Sequence, residues 1–303
     1  MTLCLAWKQG SEIYFASDSR LTDGVGGITT DDATKIFEIN VKIYGAVRSE
    51  APDEPEPLLH QTTFGLCFAG SYLNGSIIAD TIEDVLSNLQ GALPYSDFSI
   101  DNLMEIAFVV YKRVSEQLMH IHREKGFSEM LIGGYCPETS EFKLYKFSPL
   151  VKYPIEFLKE EVKVVGHGIL LGDSIATAKA RTLLSKINHD YTHFHLLREV
   201  IRDDSVPTVG GNIQAGIFKR KRFKTCGIAQ YSIYEDEYGY KQVKDEYRFR
   251  GLSLDFSNSE LSKGNLIVRK VLFNPFESER DEYFKDVFES IDKSVDEQLK
   301  KKE

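Results

Sequence analysis

Three side chains near the start of the chain form the constellation with the clearest chemistry: Thr2, Asp18 and Lys35. Once Met1 is removed, Thr2 carries a hydroxyl nucleophile and a free α-amine on a single residue. An α-amine has an unperturbed pKa of about 7.7–8.0, so it accepts a proton near neutral pH without help from a histidine. A nearby lysine favours the deprotonated hydroxyl, and a carboxylate beside that lysine keeps it charged and oriented. Threonine with its own N-terminal amine is one of the known nucleophile-and-base pairs.

The flanking elements can bring these residues together. The apolar run Leu3-Cys4-Leu5-Ala6-Trp7 turns around Gln9-Gly10-Ser11 and returns as Glu12-Ile13-Tyr14-Phe15-Ala16, ending in Ser17-Asp18-Ser19-Arg20. A loop with Gly24, Gly26 and Gly27 leads to Thr34-Lys35-Ile36-Phe37. A hairpin of two strands sets the chain start beside Asp18, and Lys35 reaches in from the next strand.

With those residues in view, the sequence resembles the proteasome-type N-terminal-nucleophile hydrolases, meaning proteasome β-subunits and their simpler bacterial relatives. The resemblance rests on Thr2, Ala16-Ser17-Asp18-Ser19-Arg20 and Lys35-Ile36. It continues through Phe68-Ala69-Gly70-Ser71, Gly166-His167-Gly168 and Val209-Gly210-Gly211. It covers roughly residues 2–230. Gly70 matches the family glycine whose backbone N–H stabilises the oxyanion, and a strand-to-helix turn asks for glycine there too. Phe68 matches a position at the base of the pocket for the residue preceding the cut bond, which implies a shallow pocket and small side chains. The same resemblance assigns Arg20 and Leu21 to substrate binding.

Two stretches depart from the family pattern. His167 stands where the family has serine between glycines; a histidine there can hydrogen-bond the amine or titrate near neutrality. The late Arg-Asp motif appears as Arg202-Asp203-Asp204, two residues further from the Gly-Gly pair than in the family. Asp203 and Asp204 therefore compete for the acidic role, with Thr208 in place of the serine.

The 303 residues suit one large domain, or one domain with an extension. Apolar content of 42% supports a sizeable core, and a net charge of −9 argues against nucleic-acid binding. Cys4, Cys67, Cys136 and Cys226 stand far apart, as suits reduced, buried thiols in a cytoplasmic protein. No run is long enough to span a membrane and no signal peptide is evident. No cofactor or metal is implied. His189, His193 and His195 read as a solvated helix end rather than ligands, and Lys219-Arg220-Lys221-Arg222 as a charged hairpin tip, with an acidic partner protein as the alternative.

Periodicity predicts strands at 36–44, 62–68, 130–136, 141–147, 162–165, 213–218 and 223–228. It predicts helices from Gly70 to Leu89, from Asp101 to Gly126, over 173–187 and over 194–201. An acidic, proline-rich stretch at 48–57 reads as an exposed loop. Composition and order give an α+β fold; the resemblance makes it a four-layer αββα sandwich formed by residues 2–230. Residues 231–303 extend beyond that core, with strands expected at 246–254 and 265–273. A final helix follows Pro275, bearing the stripe Phe284, Val287, Phe288, Ile291, Val295 and Leu299.

The function expected is a threonine-type amide hydrolase acting on peptides or proteins and working as a homo-oligomer. A small-molecule amidase on the same fold and a non-catalytic assembly subunit are the alternatives.

Overall fold

The computed structural model describes residues 2–23, 27–45, 56–91, 97–122, 126–150, 152, 154–163, 168–186, 191–237, 239, 241–250, 252–253, 272–278, 280–281, 283 and 285. The chain begins with β1 (Leu3–Gln9) and β2 (Glu12–Ser17), then the short β3 (Leu21–Thr22) and β4 (Ile28–Thr30). β5 (Ile36–Tyr44) and β6 (Leu58–Gly70) lead into α1 (Tyr72–Leu86), β7 (Leu89–Gln90) and α2 (Ile100–His122). β8 (Ser128–Cys136), β9 (Glu141–Leu150), β10 (Glu156–Glu161) and β11 (Ile169–Gly172) follow, then α3 (Ser174–Leu184) and α4 (Thr192–Ile201). The chain continues with β12 (Gln214–Lys219), β13 (Arg222–Glu235), β14 (Lys241–Phe249), β15 (Leu252–Ser253) and β16 (Leu272–Phe273).

Two large sheets organise the fold. One runs β11-β1-β2-β12-β13-β14-β15, with β16 added in parallel to β13; the other runs β10-β9-β8-β6-β5-β7. Strand alternation explains how they pack. Ile39, Val41 and Ile43 of β5, with Phe64, Leu66 and Phe68 of β6, point at one helix pair and meet Ile78, Ala79, Ile82 and Leu86 of α1 and Leu103, Met104 and Ala107 of α2. Cys67 and Ala69 point the other way, into a cluster with Cys4, Ala6, Ile13 and Phe15 of the first sheet. On that sheet's opposite face, Leu3, Leu5, Trp7 and Tyr14 pack with Ala176 and Ala180 of α3 and Phe194, Leu197 and Val200 of α4. Phe223 sits between the sheets where Gly65 and Gly216 leave room; a Cβ on either glycine would strike its ring.

Several expectations shift. No strand spans 162–163, and 164–165 lie outside the described residues. The Val162 N–H instead donates to the Leu144 carbonyl at 2.8 Å, closing the ladder of β10, whose three glutamates conceal it as a strand. β14 starts at Lys241 rather than near 246, because its polar first half is held by pairing along β13. His193 and His195 are buried, not solvated: the His193 ring stacks on Trp7 at 4.7 Å and His195 meets Phe276 edge-on at 5.0 Å. The basic tip does turn the β12–β13 hairpin, with Arg220 and Lys221 at φ 50° and 67° and Lys221 over the Tyr135 ring.

Of the strand expected at 265–273, only β16 falls among the described residues. After Pro275 the Arg280 N–H donates to the Phe276 carbonyl at 3.0 Å, a helical spacing. The apolar stripe from Phe284 onward, and most of the acidic loop at 48–57, lie outside the described residues. Among the described residues no helix is long and apolar enough to cross a membrane.

Candidate active site

The β1–β2 hairpin does what its sequence suggested. Cys4 pairs with Ser17, which leaves Leu3 facing Asp18; the Leu3 N–H donates to Asp18 Oδ1 at 3.0 Å, and the Asp18 N–H to the Leu3 carbonyl at 3.4 Å. Lys35 arrives just before β5. Its Nζ lies 3.0 Å from both Asp18 oxygens and donates to the Arg20 carbonyl at 2.6 Å. The Arg20 and Gly210 N–H groups also donate to Asp18 Oδ2, at 3.1 and 3.2 Å. Lys35 is itself fixed through its backbone N–H, which donates to Gln214 Oε1 at 3.0 Å, while the Gln214 amide donates to the Ala33 carbonyl.

Burial makes this pair unusual. Lys35 and Asp18 expose 1% and 0% of their side chains. Removing two charges from water costs more than their attraction returns unless every polar atom is satisfied. Here the carboxylate takes three backbone N–H groups as well as the ammonium, so the charges are held beside the first residues of the chain at a cost that packing alone would not require.

Thr2 is buried at 4% exposure, and its carbonyl accepts the Asp173 N–H at 3.0 Å. Gly172 pairs with Leu3 at φ +128°, so close to the Thr2 carbonyl that an added Cβ would overlap it. Only glycine meets both demands. Asp173 then caps α3: its Oδ1 accepts the Ile175 and Ala176 N–H groups at 2.7 and 3.2 Å, and its Oδ2 accepts the Thr208 hydroxyl at 3.2 Å. Gly70 ends β6 at φ +108°, directly before Ser71, the N-cap of α1. A pocket of about 160 Å³ joins these parts; its walls include Ala69 and Gly70 on one side and Gly172 and Asp173 on the other.

Arg20 grips Asp31 with two parallel bonds of 2.7 and 3.1 Å, and the guanidinium holds the Asp31 carboxyl below its ordinary range. Leu21, half-buried, pairs with Thr30 across β3–β4. Phe68 is buried in the α1–α2 core, stacked on Phe37 at 5.9 Å and against Gly75. Asp203 sits in the turn after α4, ion-paired with Lys179 and accepting the Ser205 N–H at 2.8 Å, while Asp204 is exposed. His167 lies outside the described residues.

Sequence reasoning missed Gly172, Asp173, Asp31 and Gln214 as parts of this cluster. Asp173 carried a usable signal, since it was expected at the start of a helix, and a helix N-terminus beside the chain start is a natural place for a polar network. Gln214 reaches the cluster from far along the chain and leaves no local trace. Among the described residues no group of three His, Cys, Asp or Glu side chains could hold a metal ion.

No family model matches the sequence, and no curated protein matches it. Among solved structures, the chain is similar to Anbu (ancestral beta-subunit) from Yersinia bercovieri at 16% identity, with 74% of this chain and 86% of that one covered and a TM-score of 0.50. It also matches the helical assembly of the Anbu complex from Pseudomonas aeruginosa at 15% identity, with 74% and 85% covered and a TM-score of 0.48. Eukaryotic HslV from Trypanosoma brucei matches at 12% identity, with 71% and 98% covered and a TM-score of 0.40. At such identities the likeness to the Yersinia protein shows the fold alone, a proteasome-like one.

Proposed function

We propose that this chain is a threonine-type amide hydrolase, acting on peptides, with Thr2 as its nucleophile once Met1 has been removed. The observation that carries the reading is the buried Lys35–Asp18 pair, satisfied on every side and set against the backbone of the residues that follow Thr2. In this reading the Thr2 α-amine accepts the hydroxyl proton as Oγ attacks the amide carbonyl, and the Lys35 ammonium favours the alkoxide electrostatically. The Gly70 N–H holds the oxyanion, and the amine returns its proton to the leaving nitrogen. Water then attacks the acyl-enzyme by the reverse proton path, releasing the acid and restoring Thr2.

Asp173 joins His167 and Asp203 as a candidate for the polar network beside Thr2. Its N–H orders the Thr2 carbonyl, and its carboxylate accepts the Thr208 hydroxyl. Arg20 and Leu21 form the substrate-facing strand, with the Arg20–Asp31 fork stiffening it. The family resemblance sets Phe68 beneath the specificity pocket and so favours small side chains; the ring itself is fully buried against Phe37.

We read the order helix pair, sheet, sheet, helix pair as the αββα sandwich of N-terminal-nucleophile hydrolases, with residues 2–230 as the catalytic unit. The continuous ladder from β13 to β14 supports packing of the described start of the 231–303 extension on that unit. A homo-oligomer in the cytoplasm completes the proposal. The test is turnover of small-residue fluorogenic peptides by wild-type protein and by Thr2→Ala, whose melting temperature should be unchanged. Equal turnover by the two would discard the mechanism.

A further inference from the structure

A second cavity, of about 260 Å³, shares no lining residue with the pocket at Gly70. It opens where β2 and β12 meet the start of α4 and β16. One wall is aromatic: Tyr14, Tyr191, Phe194 and Phe273. Tyr191 meets Phe273 edge-on at 4.8 Å, and Phe194 lies 5.4 Å from Phe273. Rings so arranged offer faces and edges to one more ring. An apolar cavity of about 150 Å³ already holds benzene, so this one has room for a ring and a short polar head.

Two opposite charges complete the lining. The β2–β12 register ends with Ile217 opposite Tyr14, and beyond it Glu12 and Lys219 both line the cavity. Opposite charges brought close on neighbouring strands can pair. These do not: Glu12 Oε2 accepts the Tyr14 hydroxyl at 2.7 Å, and among the described residues Lys219 has no ion-pair partner. The Tyr14 phenol is pushed up by burial and by Glu12, so it stays protonated and keeps donating. A carboxylate and an ammonium thus flank an aromatic box without satisfying each other.

We propose that this cavity binds a free aromatic α-amino acid, its ring in the box, its α-ammonium on Glu12 and its α-carboxylate on Lys219. Each part of the site answers one part of that ligand. A plain apolar ligand would leave both charges unused, and an aromatic amine or acid would use only one.

Saturation-transfer NMR and calorimetry with L-phenylalanine test this on the full chain, against phenethylamine, 3-phenylpropionate and L-leucine. L-phenylalanine should bind with a Kd on the order of 1 mM or tighter. Each analogue, lacking a charge or the ring, should bind about tenfold more weakly. Lys219→Met should remove the preference for L-phenylalanine over phenethylamine, and Glu12→Gln the preference over 3-phenylpropionate. Lys219 is exposed, so its variant should melt with the wild type. Amide shifts should centre on Ile217 and Cys226, which line the cavity. No binding of L-phenylalanine, shifts centred elsewhere, or equal binding of phenethylamine by the wild type would overturn the proposal.

Discussion

Replacing Lys35 by methionine isolates the energetic consequence of the buried pair. The ammonium makes three contacts, two to Asp18 at 3.0 Å and one to the Arg20 carbonyl at 2.6 Å. Methionine fills much of the same volume and removes all three. Breaking a buried ion pair from one side costs about 3–5 kcal/mol. The Leu3, Arg20 and Gly210 N–H groups still hold the stranded carboxylate, which places Lys35→Met near the lower end, about 3 kcal/mol. Asp18→Asn should cost at least as much, because in either orientation its amide turns a donor toward a backbone N–H and the Lys35 ammonium. The double variant should fall short of the sum by about 1.5 kcal/mol or more, since the pair is lost only once. Urea denaturation of the four proteins measures this. Additivity within about 0.5 kcal/mol would show that the two charges do not depend on each other, and the reasoning would fail.

Other outcomes follow from the same geometry. Gly172→Ala should destabilise by about 2–4 kcal/mol, since its Cβ meets the Thr2 carbonyl from a φ that disfavours side chains; a melting temperature within a degree or so of wild type would contradict it. Asp173→Asn keeps an acceptor for the α3 cap, so its stability should stay within about 1 kcal/mol while peptide turnover drops about 100-fold or more; a proportionate loss of both would make Asp173 a cap only. Arg20 depresses the Asp31 carboxyl, so this pair's stabilisation is present above the ordinary carboxylate range and lost as pH falls through the depressed value. Arg20→Met should therefore flatten the acid limb of the stability–pH curve, modestly because Asp31 is part-exposed; an unchanged limb would refute the assignment.

What could be read in the sequence was local or strictly periodic. Asp18 and Lys35 meet beside Leu3 because one tight hairpin and one following strand suffice, and each has a plain pattern of apolar residues. The helices read from Gly70 and over 173–187 announce themselves through apolar spacing. Contacts made over long separations stayed hidden. Gly172 is fitted to the Thr2 carbonyl, and only the β1–β11 register reveals it. β10 and the first half of β14 are strands by partnership, with Glu156–Glu161 and Lys241–Phe249 too polar to be read as such alone. His193 and His195 looked like surface residues because nothing nearby in sequence shows that Trp7 and Phe276 will cover them.

The central claim is that a free threonine amine and hydroxyl perform the chemistry, and the intact mass of the protein purified from its native host tests it most directly. The mass should correspond to a chain that starts at Thr2, and incubation with a slowly hydrolysed small-residue peptide ester should add one acyl group, mapped by fragmentation to that residue. A mass that retains Met1, or an acyl group found on any other residue, would contradict the account.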